Sequence, residues 1–136
     1  MEIMNIEYRL PSLSEYNKLR SAVGWDGADE QAASEALRHS LFSVVALDGG
    51  AVIGCGRVVG DGGLYFYIQD LIVHPDYQHR GCGKLLMTEL MSFVKKKARS
   101  GAFIGLMAAE GLGKYYESFG FRERHPKAPG MYQIIR

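Results

Sequence analysis

Three apolar runs of strand length, Leu41 to Leu47, Ala51 to Val59 and Leu64 to Val73, are separated only by Asp48-Gly49-Gly50 and Gly60-Asp61-Gly62-Gly63. Connections this short and this rich in Gly and Asp suit hairpins and leave no room for a crossover helix, so the runs are expected to form an antiparallel meander. The third run, LYFYIQDLIV, is apolar on both faces, which places it centrally in its sheet. It should stop at His74-Pro75, because proline cannot donate to a ladder and restrains the residue before it. The periodicity then changes. Leu86, Leu90, Phe93 and Val94 fall on one helical stripe within Lys84 to Arg99, and Lys95, Lys96, Lys97 and Arg99 crowd the end where cations complement the helix dipole. Gly101 supplies a stop, and Ala102 to Ala108 reads as another strand. A helix between two strands is a βαβ unit and implies that those strands are parallel. The expected fold class is therefore mixed α/β (α+β), an antiparallel meander feeding one parallel crossover.

Upstream, residues 3 to 9 read as a short first strand, and Ser12 with Glu15 forms a capping-box signature for a helix running to about Ser21. Gly24-Trp25-Asp26-Gly27 is a loop, and Asp29 to Ser40 favours a second helix. Downstream, Leu112 to Phe119 suggests a short helix closed by Gly120, and the tail from Phe121 to Arg136 suggests two more strands around Pro126 and Pro129. A chain of 136 residues with 47% hydrophobic content is expected to be a single domain over 1–136. Sixteen Lys and Arg against fifteen Asp and Glu leave a formal charge of +1, which argues against nucleic acid as a partner. Cys55 and Cys82 lie far apart with no CxxC pair and no His at ligand spacing, so no metal site is expected. With no apolar run near ~20 residues and an acidic N-terminal stretch, a cytoplasmic protein without a membrane partner is the expectation.

The most specific local pattern is Gln78-His79-Arg80-Gly81-Cys82-Gly83-Lys84, set between a buried strand and an amphipathic helix. Glycines there let a backbone approach a ligand, and the first N–H groups of a helix favour an anion such as phosphate. A Walker A loop is excluded because Lys84 is followed by Leu85, and a dinucleotide fingerprint because Leu86 occupies its third glycine position. What remains, Gln-x-x-Gly-x-Gly after Leu71-Ile72-Val73, resembles the pyrophosphate loop of the GNAT superfamily of N-acetyltransferases. Tyr115-Tyr116-Glu117-Ser118-Phe119-Gly120-Phe121 is similar to that superfamily's aromatic-Tyr-x-x-x-Gly-Phe segment, in the correct order along the chain. The Asn that many members carry before this helix is absent here, where the stretch is Ala108-Ala109-Glu110-Gly111.

The resemblance covers most of the chain and implies a seven-strand order with splayed central strands and acetyl-CoA as co-substrate. It implies that the backbone of Leu71, Ile72 and Val73 holds the pantetheine arm and thioester, and that Gln78, His79, Arg80, Gly81, Cys82, Gly83 and Lys84 form the pyrophosphate loop. Tyr116 matches the position of the general acid at the CoA sulfur. A Tyr near pKa ~10 and a thiol near ~8.5 make full proton transfer uphill by about 2 kcal/mol, so hydrogen-bond donation during C–S cleavage is the safer role. Against it stands a plain core aromatic beside Tyr115. Asp70 is the only carboxylate in LYFYIQDLIV, and strand parity puts it opposite Leu71 and on the face of Ile68 and Ile72. It reads equally as a base or substrate anchor and as a structural hydrogen-bond hub. His74 and His79 flank the phosphate loop and are weaker candidates. For the acceptor, the family implies the loop between the first two helices and the strands before the splay. Trp25 could wall that pocket, Arg57 could clamp a carboxylate, and Tyr65 and Tyr67 share a strand face in the region. Each has a bland counterpart, a core anchor or a salt-bridged arginine. Cys82 reads either as a thiol acidified by a helix N-terminus or as a small space-filling residue.

These residues suggest an acetyl-CoA-dependent N-acetyltransferase acting on a primary amine of a small molecule or peptide N-terminus by direct transfer in a ternary complex. The alternatives are a non-catalytic acyl-CoA sensor of the same fold, and an interaction module whose glycine loop binds nothing. Strand or tail exchange offers a route to a homodimer.

Overall fold

A computed structural model describes residues 4–136, and the first expected strand lies partly outside them. The chain forms two compact units, Met1–Leu106 and Met107–Arg136. In the first unit the elements run β1 (Asn5–Glu7), α1 (Leu13–Ala22), α2 (Glu30–Arg38), β2 (Phe42–Asp48), β3 (Ala51–Gly60), β4 (Tyr65–Val73), a 3-10 turn (Pro75–Tyr77), α3 (Cys82–Lys97) and β5 (Phe103–Gly105). The α1 capping box forms as the sequence predicts: the Ser12 hydroxyl accepts from Glu15 N–H at 3.1 Å, and the Glu15 carboxylate accepts from Ser12 N–H at 2.8 Å. Asp29 caps α2 in the same manner, accepting from Ala32 N–H.

The five strands lie in sequence order, with β1 to β4 antiparallel and β4 to β5 parallel across α3. The meander and the crossover are thus both present. The parallel ladder is short, running from Tyr65↔Phe103 to Tyr67↔Gly105, so among the described residues the rest of β4 has no strand partner on its β5 side. That is the splay. On the other side of β4, Cys55 pairs with Ile72 and Arg57 pairs with Gln69, so Gly56 alone faces both Asp70 and Leu71. This is a β-bulge, and Asp70 takes φ +55 to accommodate the extra residue.

The bulge corrects the parity reading. Cys55 and Arg57 of β3 face α1, where Leu19, Val45, Leu47, Cys55 and Ile72 form one buried cluster, and Val52, beyond a register shift at Ala46/Leu47, packs against it too. Gly54, Gly56 and Val58 face α3: a Cβ at Gly54 would meet Leu86, one at Gly56 would lie 2.8 Å from Leu90 Cδ1, and Val58 pairs with Phe42, which stacks on Phe93. Ile68, opposite Val58, faces α3, whereas Asp70 shares the α1 face with Ile72 and Arg57. One inserted residue shifts the alternation, so a rule of strict period 2 fails across it. The bare backbone at Gly56 lets α3 press its Leu86, Met87 and Leu90 side chains into the sheet, all fully buried. Tyr16, Ala33 and Leu37 close α2 onto α1. Each large side chain so buried stabilises the fold by about 1.5–3 kcal/mol relative to exposure.

In the second unit one helix, α4 (Gly113–Glu117), is followed by a turn in which Gly120 takes φ +92. The tail departs from expectation: the described residues contain five strands, none of them after Phe121. Instead a turn forms at His125 to Ala128, with Ala128 N–H donating to His125 O at 2.8 Å and Arg124 Nε to Ala128 O at 2.7 Å. Pro126 and Pro129 bring no N–H to a ladder, and the strand-prone run through Met131 and Ile135 stays exposed.

Candidate active site

β4 ends where the sequence predicts. His74 N–H donates to Ile53 O at 2.8 Å, and the His74 ring accepts from Asp76 N–H, starting the 3-10 turn. Tyr77 donates its hydroxyl to Asp48, fastening this turn to the β2–β3 hairpin. The Gln78 amide donates to Val73 O at 3.0 Å, so the motif glutamine ties the loop back to the strand end. His79 takes φ +64 and Gly81 φ +86, two left-handed residues that swing the chain into α3. No side chain caps α3, and its first intrahelical bond is from Leu85 N–H to Gly81 O at 3.0 Å. The first N–H groups of the helix therefore point outward with the positive end of its dipole.

A Cβ at Gly81 would meet nothing within 4 Å, so the space above the loop is open. Arg80 and Lys84 are exposed beside it, the Arg80 guanidinium resting 5.4 Å from the Tyr77 ring centroid. Oriented amides, two cations and open space suit a diphosphate. Cys82 turns out to be the space-filling residue. It is fully buried against the sheet, and desolvation pushes its thiol up to about 11. Cys55 is pushed up to about 12 by burial and by Asp70, and both cysteines are free.

Leu71 lies on the α3 face, Ile72 in the α1 cluster and Val73 at the strand end, half-buried. Their backbone follows the point where β4 leaves β5, so an extended ligand can pair with it. Asp70, at the bulge, is a hub. Its side chain is 2% exposed and accepts from Tyr16 Oη at 2.8 Å, Arg57 Nε at 2.8 Å and Gln69 Nε2 at 3.3 Å, with Arg20 Nη1 at 3.8 Å. Its backbone carbonyl accepts from the Cys55 thiol at 3.4 Å. Arg57, 12% exposed, also donates to Ala36 O and Ser40 Oγ, so its contacts hold the end of α2 to the sheet. The structure thus joins Asp70 with Arg57, two residues that the sequence offered for separate tasks.

Trp25 is 40% exposed on the loop after α1, under the guanidinium of Arg20. Tyr65 and Tyr67 share a face of β4, where Tyr65 approaches Phe103 with ring centroids 6.1 Å apart, and burial raises the Tyr67 hydroxyl above its usual range. In the second unit Tyr116 is buried on α4, edge-on to Tyr115 at 5.1 Å and to Phe121 at 6.4 Å. Burial holds its phenol above the ordinary tyrosine value, protonated at neutral pH and able to donate.

Tyr16 and Arg20 were not singled out from the sequence. Their spacing on α1 places both on one helix face, but nothing local reveals that this face meets a carboxylate 54 residues away. Among the described residues no group of His, Cys, Asp and Glu gathers for a metal, and no helix is long and apolar enough to cross a membrane.

Comparison with known proteins supplies a family for this geometry. Residues 38–123 match the family model for the acetyltransferase (GNAT) domain. A relative from Porphyra purpurea, named as the uncharacterized N-acetyltransferase ycf52, is 28% identical over 129 residues, covering 92% of this chain and 73% of its own length. Among solved structures, a probable acetyltransferase from Staphylococcus aureus is 33% identical with a TM-score of 0.92, covering 98% of this chain and 100% of that one. A GNAT-family acetyltransferase from Streptococcus pneumoniae is 34% identical with a TM-score of 0.81, covering 98% and 99%.

Proposed function

Because this chain belongs to the acetyltransferase (GNAT) family, we propose that it moves the acetyl group of acetyl-CoA directly to a primary amine of a small molecule or peptide N-terminus, within a ternary complex. Acetyl-CoA supplies an activated thioester and a diphosphate handle. The observation that carries the reading is the uncapped N-terminus of α3 at Gly81, lying just beyond the splayed end of β4.

In this reading the amides from His79 to Lys84 receive the diphosphate, with Arg80 and Lys84 adding charge, while Gln78 holds the loop to Val73. The backbone of Leu71, Ile72 and Val73 aligns the pantetheine arm and its thioester, as a strand aligns an extended peptide. The neutral amine attacks the thioester carbon, the C–N bond forms, the C–S bond breaks, and the amine proton leaves to solvent or a base. Tyr116 is assigned, by its match to the family motif, as hydrogen-bond donor to the departing sulfur. For Asp70 the bonds from Tyr16, Arg57 and Gln69 favour the structural role, because most of its acceptor sites are already used to hold neighbouring side chains. Trp25, Tyr65 and Tyr67 are the aromatic candidates for the acceptor wall. Arg57, held by Asp70, Ala36 and Ser40, fits the salt-bridged role better than that of a carboxylate clamp. A cytoplasmic setting and a homodimer formed by strand or tail exchange belong to the same reading.

Thermal unfolding with and without acetyl-CoA tests it, since a ligand at 100 times its dissociation constant stabilises by about 2.7 kcal/mol. Absence of a shift refutes acetyl-CoA binding. A shift without thiol release across amino acids, polyamines, aminoglycosides and peptides would instead make the chain a sensor.

A further inference from the structure

One guanidinium touches both the acceptor loop and the bulge. Arg20, in the last turn of α1, donates from Nε and Nη2 to the single carbonyl of Asp26, at 3.0 and 2.8 Å. Its Cζ lies 5.6 Å from the Trp25 ring centroid and 5.5 Å from that of Tyr16. On its remaining side, Nη1 donates to Tyr16 Oη at 3.4 Å and stands 3.8 Å from Asp70 Oδ1. The loop backbone also returns to the same residue, Trp25 N–H donating to Arg20 O at 2.9 Å. With a side chain only 20% exposed, the planar fork is pinned by the Asp26 carbonyl and both aromatic rings, and it cannot follow one end without disturbing the other.

Resting on the acetyl-CoA reading, we propose that Arg20 is a positioning residue that couples the 23–28 loop to the Asp70 bulge, so that seating the thioester along Leu71 orders the Trp25 wall for the acceptor. Asp70 and Leu71 are consecutive, and Asp70 holds a left-handed conformation that its side-chain partners maintain. A ligand that pairs with the strand beyond the bulge therefore acts on the peptide that carries the carboxylate. The carboxylate acts on Arg20 directly and through Tyr16. Arg20 acts on Asp26 O and Trp25. Linkage makes the effect reciprocal: an acceptor that orders the loop tightens acetyl-CoA by the same factor that acetyl-CoA tightens the acceptor, about fivefold or more for couplings of ordinary size.

Trp25 is the one tryptophan of the chain, so its fluorescence reports on this loop alone. Acetyl-CoA is titrated into wild type, Arg20→Gln, Arg20→Lys and Asp70→Asn, with fluorescence and calorimetry on the same samples and a melting curve for each variant. Wild type is expected to show a saturable Trp25 change at the calorimetric dissociation constant. Arg20→Gln is expected to bind acetyl-CoA within about threefold of wild type, yet lose most of the fluorescence change. Arg20→Lys retains the charge but not the fork, and fails to restore the change; full restoration by Lys would reduce the role to charge and overturn the proposal. It is also overturned if wild-type Trp25 stays silent while calorimetry reports binding, or if Arg20→Gln responds like wild type. If Asp70→Asn does not fold, the Arg20 pair decides alone. No calorimetric binding by wild type would overturn the acetyl-CoA reading itself, and this inference with it.

Discussion

Replacing Arg57 with methionine keeps most of the side-chain volume and removes the closest charge to Asp70. The ion pair is 2.8 Å long, with side-chain exposures of 12% for Arg57 and 2% for Asp70, so the carboxylate left behind cannot rehydrate without opening the α1–sheet contact. Tyr16 and Gln69 continue to donate, but the nearest remaining charge, on Arg20, is 3.8 Å away. Breaking a buried pair by removing one partner typically costs about 3–5 kcal/mol. That is a large share of the roughly 5–15 kcal/mol by which a domain is stable. At about 3 °C per kcal/mol for a chain of this size, Tm should fall by about 9–15 °C. Urea unfolding followed by far-UV circular dichroism measures the cost as a shift in midpoint at constant slope. Ser40→Ala separates the minor contacts, since it removes one of the Arg57 partners and should cost about 1 kcal/mol or less. Adding Asp70→Asn to Arg57→Met removes the orphaned charge, so the double variant should recover at least about half of the loss. A cost below about 1 kcal/mol for Arg57→Met, or strict additivity in the double variant, would refute the view of Asp70 as a desolvated hub.

Gly81→Ala places a Cβ in open space but forces φ +86 on an alanine, which should cost about 1–2 kcal/mol and weaken acetyl-CoA binding about tenfold by calorimetry; an unchanged dissociation constant would remove the left-handed turn from the binding site. Tyr116→Phe should lower turnover at least about tenfold with acetyl-CoA affinity unchanged, and the wild-type rate should show no tyrosine ionisation below the ordinary phenol range, because burial raises that group. The hydrogen bond from Arg9, and then that from Ser12 N–H, lower Glu15 to about 2 from 4.5. Its contribution to stability is therefore full above pH 4.5 and lost as pH falls towards 2, so the Tm difference between wild type and Glu15→Gln should shrink across that window.

Local chemistry made much of this fold legible. Ser12 and Glu15 announce a capping box, the Gly-rich turns at 49 and 62 announce hairpins, and the stripe from Leu86 to Val94 announces the crossover helix that makes β5 parallel. Each of those signals acts within a few residues, and each appears in the structure where the sequence puts it. The glycine turn into α3 was legible for the same reason, since the φ of +86 at position 81 is one that glycine adopts at little cost.

The tail was misread because strand propensity needs a partner edge. Met131 to Ile135 carry the propensity, while Pro126 and Pro129 interrupt the segment that would present it. The face of Asp70 was half misread, its companion Ile68 lying on the other side of the sheet. The cause is a single extra residue opposite Gly56, and a bulge is a property of two paired strands rather than of either one. The same holds for the roles of Arg57, Tyr16 and Arg20, which lie 13, 54 and 50 positions from Asp70 along the chain.

By itself, then, the sequence determined the order and type of the elements up to β5, the crossover and the glycine turn that opens α3, because these depend on backbone preferences and short spacings. Only the tertiary structure decided what Asp70 does. A buried carboxylate takes its role from the donors that surround it, and those arrive from three separate elements brought together by the packing of α1 and β3 against the β4 bulge.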